Sequence, residues 1–320
     1  MTRARVLCLL ALCLLLGAAA PAEALDKITV GKATAGGYAW VPVDVGVAHG
    51  LFSKQQLEIE IVAFAGSAKL HQGMAAGSVD IGLGGGTEFI FLVRGAPELA
   101  VANMADRPLD LGVSTLDSSG IRQVEDLKRK KIGVSTAGSL TDWLVRELGR
   151  AKGWGADSPI PTVIGGSWPV DIAAMQTKQV DAAMADPGLG FSLEEAGRGH
   201  LVVPAGDYVG SFVAHAIWAS KDIIKKNPEG VRRFLKGWFD SIAYMRAHRE
   251  ETAQVAMKVM GVSHQVADRN YDVIMPMFSE DGRFNEQGLR TVERSYVELK
   301  LLDKEPDLKP YYTEEFLPKK

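Results

Sequence analysis

Small and hydroxyl-bearing residues recur where an apolar, strand-like segment meets the start of a predicted helix. These turns are Thr34-Ala-Gly-Gly37, Gly66-Ser67, Gly86-Thr87, Gly138-Ser139 and Gly166-Ser167. A helix start presents unpaired N–H groups and the positive end of the helix dipole, so it can hold an anion without a lysine or arginine. Serine and threonine are also ordinary N-caps. One such turn is therefore weak evidence, whereas several at matching places indicate a ligand site.

Aromatic and acidic residues accompany these turns. Tyr38 and Trp40 follow the first turn, and Trp168 follows the last one. Glu88 and Asp186 stand at the ends of predicted strands, where a carboxylate can cap a helix or pair with a ligand amine. These residue types predict a pocket with aromatic walls and hydrogen-bonding groups at the carboxyl ends of strands.

Two histidines, His215 and His71, could have either a structural or a ligand-binding role. His215 lies in a long apolar segment, where a buried structural histidine is the more common outcome, and we keep it in the candidate set. His71 lies one turn into the helix predicted to start at Ser67, and we expect it on the surface.

Motifs for bond-making chemistry and for metals are missing. No two of the six histidines lie within a helical turn of each other, and no calcium-loop pattern occurs. Gly133-Val-Ser135-Thr-Ala137 has alanine where a nucleophile elbow needs glycine. Leu83-Gly-Gly-Gly86 lacks the lysine of a phosphate-binding loop. We therefore expect no catalytic residues, no metal site and no cofactor.

The N-terminus has the parts of a secretory signal peptide. A basic start (Met1–Arg5) precedes a charge-free apolar run (Val6–Ala20) and an Ala22-x-Ala24 end. We expect cleavage after Ala24 and a periplasmic location. Both cysteines lie before that point, so the mature chain would have no disulfide, thiolate ligand or cysteine nucleophile.

The charge balance excludes other classes. Removing residues 1–24 takes away two basic residues and one acidic residue, so the net charge moves from −3 to −4. A mildly acidic protein without a basic surface cluster is a poor candidate for binding nucleic acid. No later apolar stretch is long enough to span a bilayer.

Strand-like and helix-like segments alternate up to about residue 187, which favours α/β units with largely parallel sheets. The pattern restarts at residue 124 as a weak internal repeat. Val30-Gly-x-x-Thr-Ala-Gly36 returns as Ile132-Gly-x-x-Thr-Ala-Gly138, and Val79-Asp80 returns as Val180-Asp181. The repeat predicts two similarly wound lobes. After a long strand predicted over Val209–Ala219, the chain reads as consecutive amphipathic helices, with a break at Asn227-Pro228.

The chain resembles the exported substrate-binding proteins of ABC importers, in the subfamily for nitrate, sulfonate, taurine and thiamine-pyrimidine uptake. The segments that carry the resemblance are Ala48-His-Gly-Leu-Phe52, Ala75–Gly82, Val124–Lys128, Gln179–Ala182 and Asp186-Pro187. The resemblance implies a type II periplasmic binding protein fold: two α/β lobes, two crossing hinge segments and C-terminal helices. Residues 25–113 and 214–320 would form lobe 1 and residues 114–213 lobe 2, with crossings near Leu111–Leu116 and Val209–Trp218.

The family's ligand loops transfer onto both lobes. With the residues above, the expected ligand-binding set is Thr34, Gly37, Tyr38, Trp40, Gly66, Ser67, Gly86, Thr87, Glu88, Ser139, Leu140, Thr141, Trp168, Asp186 and His215. These loops contain no lysine or arginine beyond Lys32, which weakens the case for nitrate.

The resemblance implies a monomer that passes a small ligand to a membrane permease. The expected ligand is a small organic anion or zwitterion such as taurine, held at the helix starts of Ser67 and Ser139. An aromatic or pyrimidine ligand is the alternative. Enzymes of the same fold, which make thiamine precursors or act in menaquinone synthesis, are a further alternative. The absence of cysteine from the mature chain disfavours the first of these, and the signal peptide disfavours both.

Overall fold

The computed structural model describes residues 25–155 and 157–319. The segment predicted to be cleaved, residues 1–24, lies outside the described residues. Within the described part of the chain, no helix is both long and apolar enough to cross a membrane.

Ten strands form two five-stranded mixed sheets. They are β1 (Asp26–Lys32), β2 (Leu57–Ala63), β3 (Ile81–Gly85), β4 (Glu98–Ala105), β5 (Gly112–Leu116), β6 (Lys131–Val134), β7 (Ile160–Val163), β8 (Ala182–Ala185), β9 (Gly199–Pro204) and β10 (His215–Ser220). The first sheet has the order β2-β1-β3-β10-β4 and the second has the order β7-β6-β8-β5-β9. We call the parts built on them the first lobe and the second lobe.

The two sheets share one winding. In each sheet the first three strands in its order pair in parallel, and the strand that follows a crossing inserts antiparallel to its neighbours. That strand is β5 in the second lobe and β10 in the first. The internal repeat in the sequence corresponds to this shared winding.

Eleven helices surround these sheets in the described chain. They are α1 (Val41–Ala48), α2 (Ser67–Ala75), α3 (Phe89–Val93), α4 (Leu140–Ala151), α5 (Trp168–Gln176), α6 (Pro187–Glu195), α7 (Lys221–Lys226), α8 (Pro228–Ala247), α9 (Arg249–Met260), α10 (His264–Ile274) and α11 (Glu286–Glu298). Asn227 ends α7 and caps α8, since its side chain accepts a hydrogen bond from the N–H of Gly230 at 2.8 Å. The predicted break at Asn227-Pro228 is confirmed.

The chain crosses between the sheets twice, in residues 106–111 and 205–214. Two hydrogen bonds join the crossings to each other. Phe212 N–H donates to the Asp106 carbonyl at 2.9 Å, and Ala205 N–H donates to the Leu111 carbonyl at 2.8 Å. Both lie slightly earlier in the chain than predicted. Gly112 and Val113 already pair within the second sheet, so the predicted boundary at residue 113 falls inside β5. Likewise, residues 209–214 are not part of a strand.

The C-terminal helices pack mainly on the first lobe. The apolar stripe of α8 faces α1 and the segment after it, where the Phe234 and Phe52 rings stack with centroids 5.3 Å apart. Helix α10 also contacts the second lobe: the Arg269 guanidinium lies 3.8 Å over the Phe191 ring on α6 and bonds to Glu194 at 2.9 Å. This helix therefore connects the two lobes.

Trp143 on α4 joins the second lobe to the returning crossing and to α11. Its ring is fully buried and stacks on Phe212 with centroids 4.4 Å apart, and its indole N–H donates to Glu298 at 3.0 Å.

Trp143→Ala should lower the free energy of unfolding by about 3–5 kcal/mol, because it leaves a large buried cavity. Urea denaturation measures this loss. Trp154→Ala, at a partly exposed position on the same lobe, is the control, and an equal loss in both variants would contradict the assignment.

Candidate functional site

A cleft of about 690 Å³, partly open to solvent, lies between the two lobes. It is bounded by residues that follow β1, β3, β6 and β8, so it lies at the carboxyl ends of parallel strands, where open α/β sheets bind ligands. Its volume is within the usual range for a small-molecule pocket.

Most of the expected ligand-binding residues line this cleft. They are Thr34, Gly37, Trp40, Ser67, Glu88, Ser139, Leu140, Thr141, Trp168, Asp186 and His215. Further lining residues outside the expected set are Ala33, Gly36, Gly85, Asp110, Leu111, Ser135, Gly165, Gly166, Asp171, Met184 and Ala185.

Four expected residues do not line the cleft. The Tyr38 ring is buried, and its backbone N–H serves the site indirectly through Asp186. Gly86 packs so closely on the next segment that a Cβ there would lie 1.7 Å from the Val213 carbonyl oxygen. Thr87 is fully buried, and Gly66 approaches Thr136 of the opposite lobe. These residues shape the walls of the cleft without facing its interior.

The Asp186 carboxylate connects three parts of the molecule. One oxygen accepts a hydrogen bond from the backbone N–H of Tyr38 in the first lobe at 2.8 Å. The other accepts from the N–H of Gly188 at 2.8 Å and from the amide of Asn270 on α10 at 2.9 Å. Burial raises the pKa of Asp186 to about 7, although these donors act to lower it. The bond to Tyr38 crosses directly from one lobe to the other.

Glu88 belongs to a buried triad at the wall of the first lobe. His71 bonds through Nε2 to Glu88 at 2.8 Å and through Nδ1 to Glu98 at 2.7 Å. Burial alone would lower the pKa of His71, but the two carboxylates outweigh it and raise the pKa to about 9. Protonated His71 thus donates to both carboxylates. The prediction of a surface His71 is wrong, because the side chain is the buried counter-charge of Glu88.

The other oxygen of Glu88 accepts from Ser67 Oγ at 2.5 Å and from the N–H of Gly85 at 2.6 Å. Helix α2 begins at Ser67, as predicted, with Gly66 at the N-cap position, and the Ser67 hydroxyl donates to Glu88. Gly84 makes room for this arrangement, since a Cβ there would lie 2.0 Å from a Glu88 oxygen.

Asp110 and His215 form a second buried pair at the cleft. His215 Nε2 bonds to Asp110 at 2.8 Å, and the Trp40 ring meets the imidazole edge-on at 5.0 Å. Burial opposes protonation of His215, but Asp110 outweighs it and raises the pKa of the imidazole. The second oxygen of Asp110 is buried and has no hydrogen-bond partner.

Three hydroxyl groups form a neutral polar patch on the second lobe. The side-chain oxygens of Ser135, Ser139 and Thr141 lie 2.9–3.1 Å from one another. Ser139 caps α4, as predicted, by accepting from the N–H of Asp142. Ser139 Oγ already donates to the Thr136 carbonyl at 2.7 Å, so Ser135 and Thr141 are the hydroxyl groups of the patch that can turn a donor toward a ligand without any formal charge.

Asp171 is the clearest residue that the sequence reasoning missed. It lines the cleft on α5, it is only 5% exposed, and no described residue donates a hydrogen bond to its carboxylate. Burial raises its pKa to about 7. Its position three residues after Trp168 places both on one helix face. An acidic residue within the apolar segment Trp168–Met175 was the available signal.

Acidic side chains outnumber basic ones in the cleft, where His215 is the one basic side chain among the described lining residues. Glu88, Asp110, Asp171 and Asp186 line it, whereas none of the described lining residues is a lysine or arginine. Lys32 is buried nearby in an ion pair with Asp44. Nor do the described residues bring together three histidine, aspartate or glutamate side chains in a way that could hold a metal ion.

Residues 40–252 match the family described as NMT1/THI5 like. The chain belongs to the NMT1/THI5-like family. A binding protein of Brucella abortus (strain 2308) is 26% identical to this family member over 219 residues, which cover 67% of this chain and 65% of the Brucella protein. The alignment thus spans just under two thirds of the relative's length.

Solved structures with the same fold include two sulfonate-binding proteins. The alkanesulfonate-binding protein SsuA of Xanthomonas axonopodis pv. citri, bound to MOPS, superposes with a TM-score of 0.76 at 18% identity, covering 90% of this chain and 98% of its own. The periplasmic aliphatic sulphonate binding protein SsuA of Escherichia coli gives a TM-score of 0.72 at 20% identity, covering 89% and 91%. These similarities confirm the predicted two-lobe periplasmic binding protein fold of this NMT1/THI5-like protein.

The burial of Asp171 predicts a stability that depends on pH. Its folded-state pKa of about 7 lies above the ordinary value of 3.8, so folding favours the protonated form and stability falls as the pH rises from about 4 to about 7. Asp171→Asn should therefore raise the free energy of unfolding by roughly 1–3 kcal/mol at pH 8 and change it little at pH 4.

Urea denaturation at pH 4, 6 and 8 measures this difference. Asp157→Asn, at a side chain that is 87% exposed, should show no comparable trend. A variant that is destabilised at pH 8 would show that Asp171 has a stabilising partner and would contradict the interpretation.

Asp186→Ala should weaken the contact between the lobes. It leaves the donors of Tyr38, Gly188 and Asn270 without their acceptor, which costs about 1–3 kcal/mol for each buried group left unpaired. Small-angle X-ray scattering of the ligand-free variant should give a larger radius of gyration than the wild type, with Asp157→Ala as the control. Unchanged scattering together with unchanged stability would contradict a connecting role for Asp186.

Proposed function

We propose that this protein is the exported solute-binding component of an ABC importer and captures a small zwitterion, such as a taurine-like aminosulfonate, between its two lobes. The observation that carries the proposal is the composition of the cleft. Residues of both lobes line it, and it combines two tryptophans with hydroxyl groups and carboxylates. Such a surface binds and orients a ligand without reacting with it.

The charges of the cleft favour a zwitterion over a simple anion. Four carboxylates line the cleft with one histidine and with no lysine or arginine among the described lining residues, so nitrate or an alkyl sulfonate would find more acidic than basic groups around it. A zwitterion can place its amine among the carboxylates and its sulfonate against the hydroxyl groups of Ser135, Ser139 and Thr141. The SsuA of Xanthomonas axonopodis binds MOPS, a sulfonate that also carries an amine nitrogen, which supports this ligand class.

The helix starts at Ser67 and Ser139 should bind an anionic ligand more weakly than the sequence alone suggests. Glu88 already accepts from Ser67 at the first of them. At the second, Asp142 accepts from the N–H of Gly138 at 2.8 Å. Each helix start thus holds a carboxylate of the protein itself, and this reduces its attraction for an external anion.

An aminopyrimidine is the second candidate ligand. Trp40 and Trp168 both line the cleft, and aromatic rings favour flat, apolar ligands by stacking or edge contacts. The buried indole N–H of Trp168 has no partner, so it is available to a ring nitrogen or carbonyl of a ligand.

Trp168→Ala should lower the affinity for the bound ligand about tenfold or more, because it removes an aromatic wall and a free donor. Calorimetry with taurine, ethanesulfonate, nitrate and 4-aminopyrimidine measures the change. Trp154→Ala, outside the cleft on the same lobe, should leave binding unchanged. Tight nitrate binding that is unchanged in Trp168→Ala would contradict the proposed ligand class. Conversion of any bound compound into a product would favour an enzyme of this fold.

We also propose a periplasmic location, a monomeric state and delivery of the ligand to a membrane permease. N-terminal sequencing of the exported protein should begin at Leu25. A mature protein that begins at Met1 would remove the export part of the proposal and leave the binding part standing.

A further inference from the structure

Asp171 differs from the other acidic residues of the cleft because no described residue donates a hydrogen bond to its carboxylate. Glu88 is bonded to His71, Asp110 to His215, and Asp186 to three N–H donors. Asp171 is equally buried, yet no side chain or backbone group donates to its carboxylate. A buried carboxylate without a donor costs folding free energy. The Asp171 oxygens are not among the unpaired side-chain atoms that the described chain encloses completely, so water or a ligand in the cleft can reach them.

The residues around Asp171 indicate which ligand group could donate a hydrogen bond to its carboxylate. Trp168, on the same face of α5, has a buried indole N–H without a partner. Across the cleft, one oxygen of Asp110 is also buried and unpaired. Asp171 and Asp110 thus provide unpaired acceptors, and Trp168 provides an unpaired donor on an aromatic ring. An ammonium or amino group satisfies the acceptors, and a tryptophan face attracts a cation.

We propose that Asp171 is the residue that selects the ligand, by accepting a hydrogen bond from an amine nitrogen held against Trp168. The inference rests on the proposed function and narrows its ligand class: binding requires a nitrogen that bears N–H groups. Ligands that lack this nitrogen leave the carboxylate buried and unpaired, and are rejected for that reason.

Ligand capture should then release a proton near pH 7. Burial places the pKa of Asp171 at about 7, and a bound ammonium favours the ionised form. The charged groups that share the cleft are Glu88, Asp110, Asp186 and His215. Burial also places the pKa of Asp186 at about 7, so proton release by the wild type alone does not identify its source. Asp171→Asn separates the two, because it removes only one of these carboxyl groups.

The test uses two matched pairs of probes, taurine with ethanesulfonate and 4-aminopyrimidine with pyrimidine. Each pair differs in the amino group alone. Calorimetry at pH 7 in buffers of different ionisation enthalpy gives both the affinity and the number of protons released. The proteins are the mature wild type, Asp171→Asn and, as a control on the same lobe, Asp157→Asn.

The proposal expects at least one amino-bearing probe to bind the wild type more tightly than its partner probe. Asp171→Asn should weaken that probe roughly 30-fold or more and abolish most of the proton release, whereas Asp157→Asn should change neither. Loss of binding through misfolding is checked by urea denaturation, since the asparagine variant should be at least as stable as the wild type.

Three results would overturn the proposal. They differ in whether they also contradict the proposed ligand class. If an amine-free probe binds as well as its partner, or if Asp171→Asn leaves the affinity unchanged, the role of Asp171 is wrong while the solute-binding function stands. If none of the four probes binds any of the three proteins, the ligand class under the proposed function falls as well, and the role of Asp171 falls with it.

Discussion

Buried carboxylates without a lysine or arginine beside them are the constraint on which this structure depends. Three of these groups, Glu88, Asp110 and Asp186, obtain hydrogen bonds from the protein itself, because their charge is removed from water. Glu88 obtains them from His71 and Ser67, and Asp110 from His215. These donors come from several separate elements, so the acids of the cleft are stable only when the whole first lobe is assembled around them.

Asp186 extends this dependence to the relation between the lobes. It lies at the end of β8 in the second lobe, but two of its donors come from elsewhere: Tyr38 from the first lobe and Asn270 from α10. The crossings that form the hinge lie beside each other and are tied by the bond from Phe212 to Asp106. A hinge motion that opens the cleft would break the bond from Tyr38 to Asp186 while the bond between the crossings stays intact. Contact between the lobes is therefore coupled to the hydrogen bonding of one carboxylate.

The fold could be predicted because its signals are local. Alternating apolar segments, glycine stops and the repeated Thr-Ala-Gly turn indicated two similarly wound lobes. The site could be predicted only in part, since its decisive contacts join residues far apart in the chain. Tyr38 and Asp186 are separated by 148 positions. Pairing His71 with Glu88 reverses the expectation of a surface histidine, and carboxylates already at the starts of α2 and α4 reverse the expectation of free anion sites there. The contacts of Glu88 with His71 and Ser67 have no local signal, whereas the acid at the start of α4 has one in the pattern Ser139-Leu-Thr-Asp142.

The unpaired Asp171 then explains how a ligand can act on both lobes at once. A group that is satisfied by the fold makes the same contacts whether or not a ligand is present, so it contributes little to the difference between the open and closed states. A group left unsatisfied contributes to that difference, because a ligand shifts a conformational equilibrium only through contacts that distinguish its states. Asp171 and Trp168 lie on the second lobe, and Trp40 and Glu88 on the first. In the proposed complex, an amine bound to Asp171 would gain the contacts of Trp40 only when the lobes meet, and this difference would drive closure by the ligand.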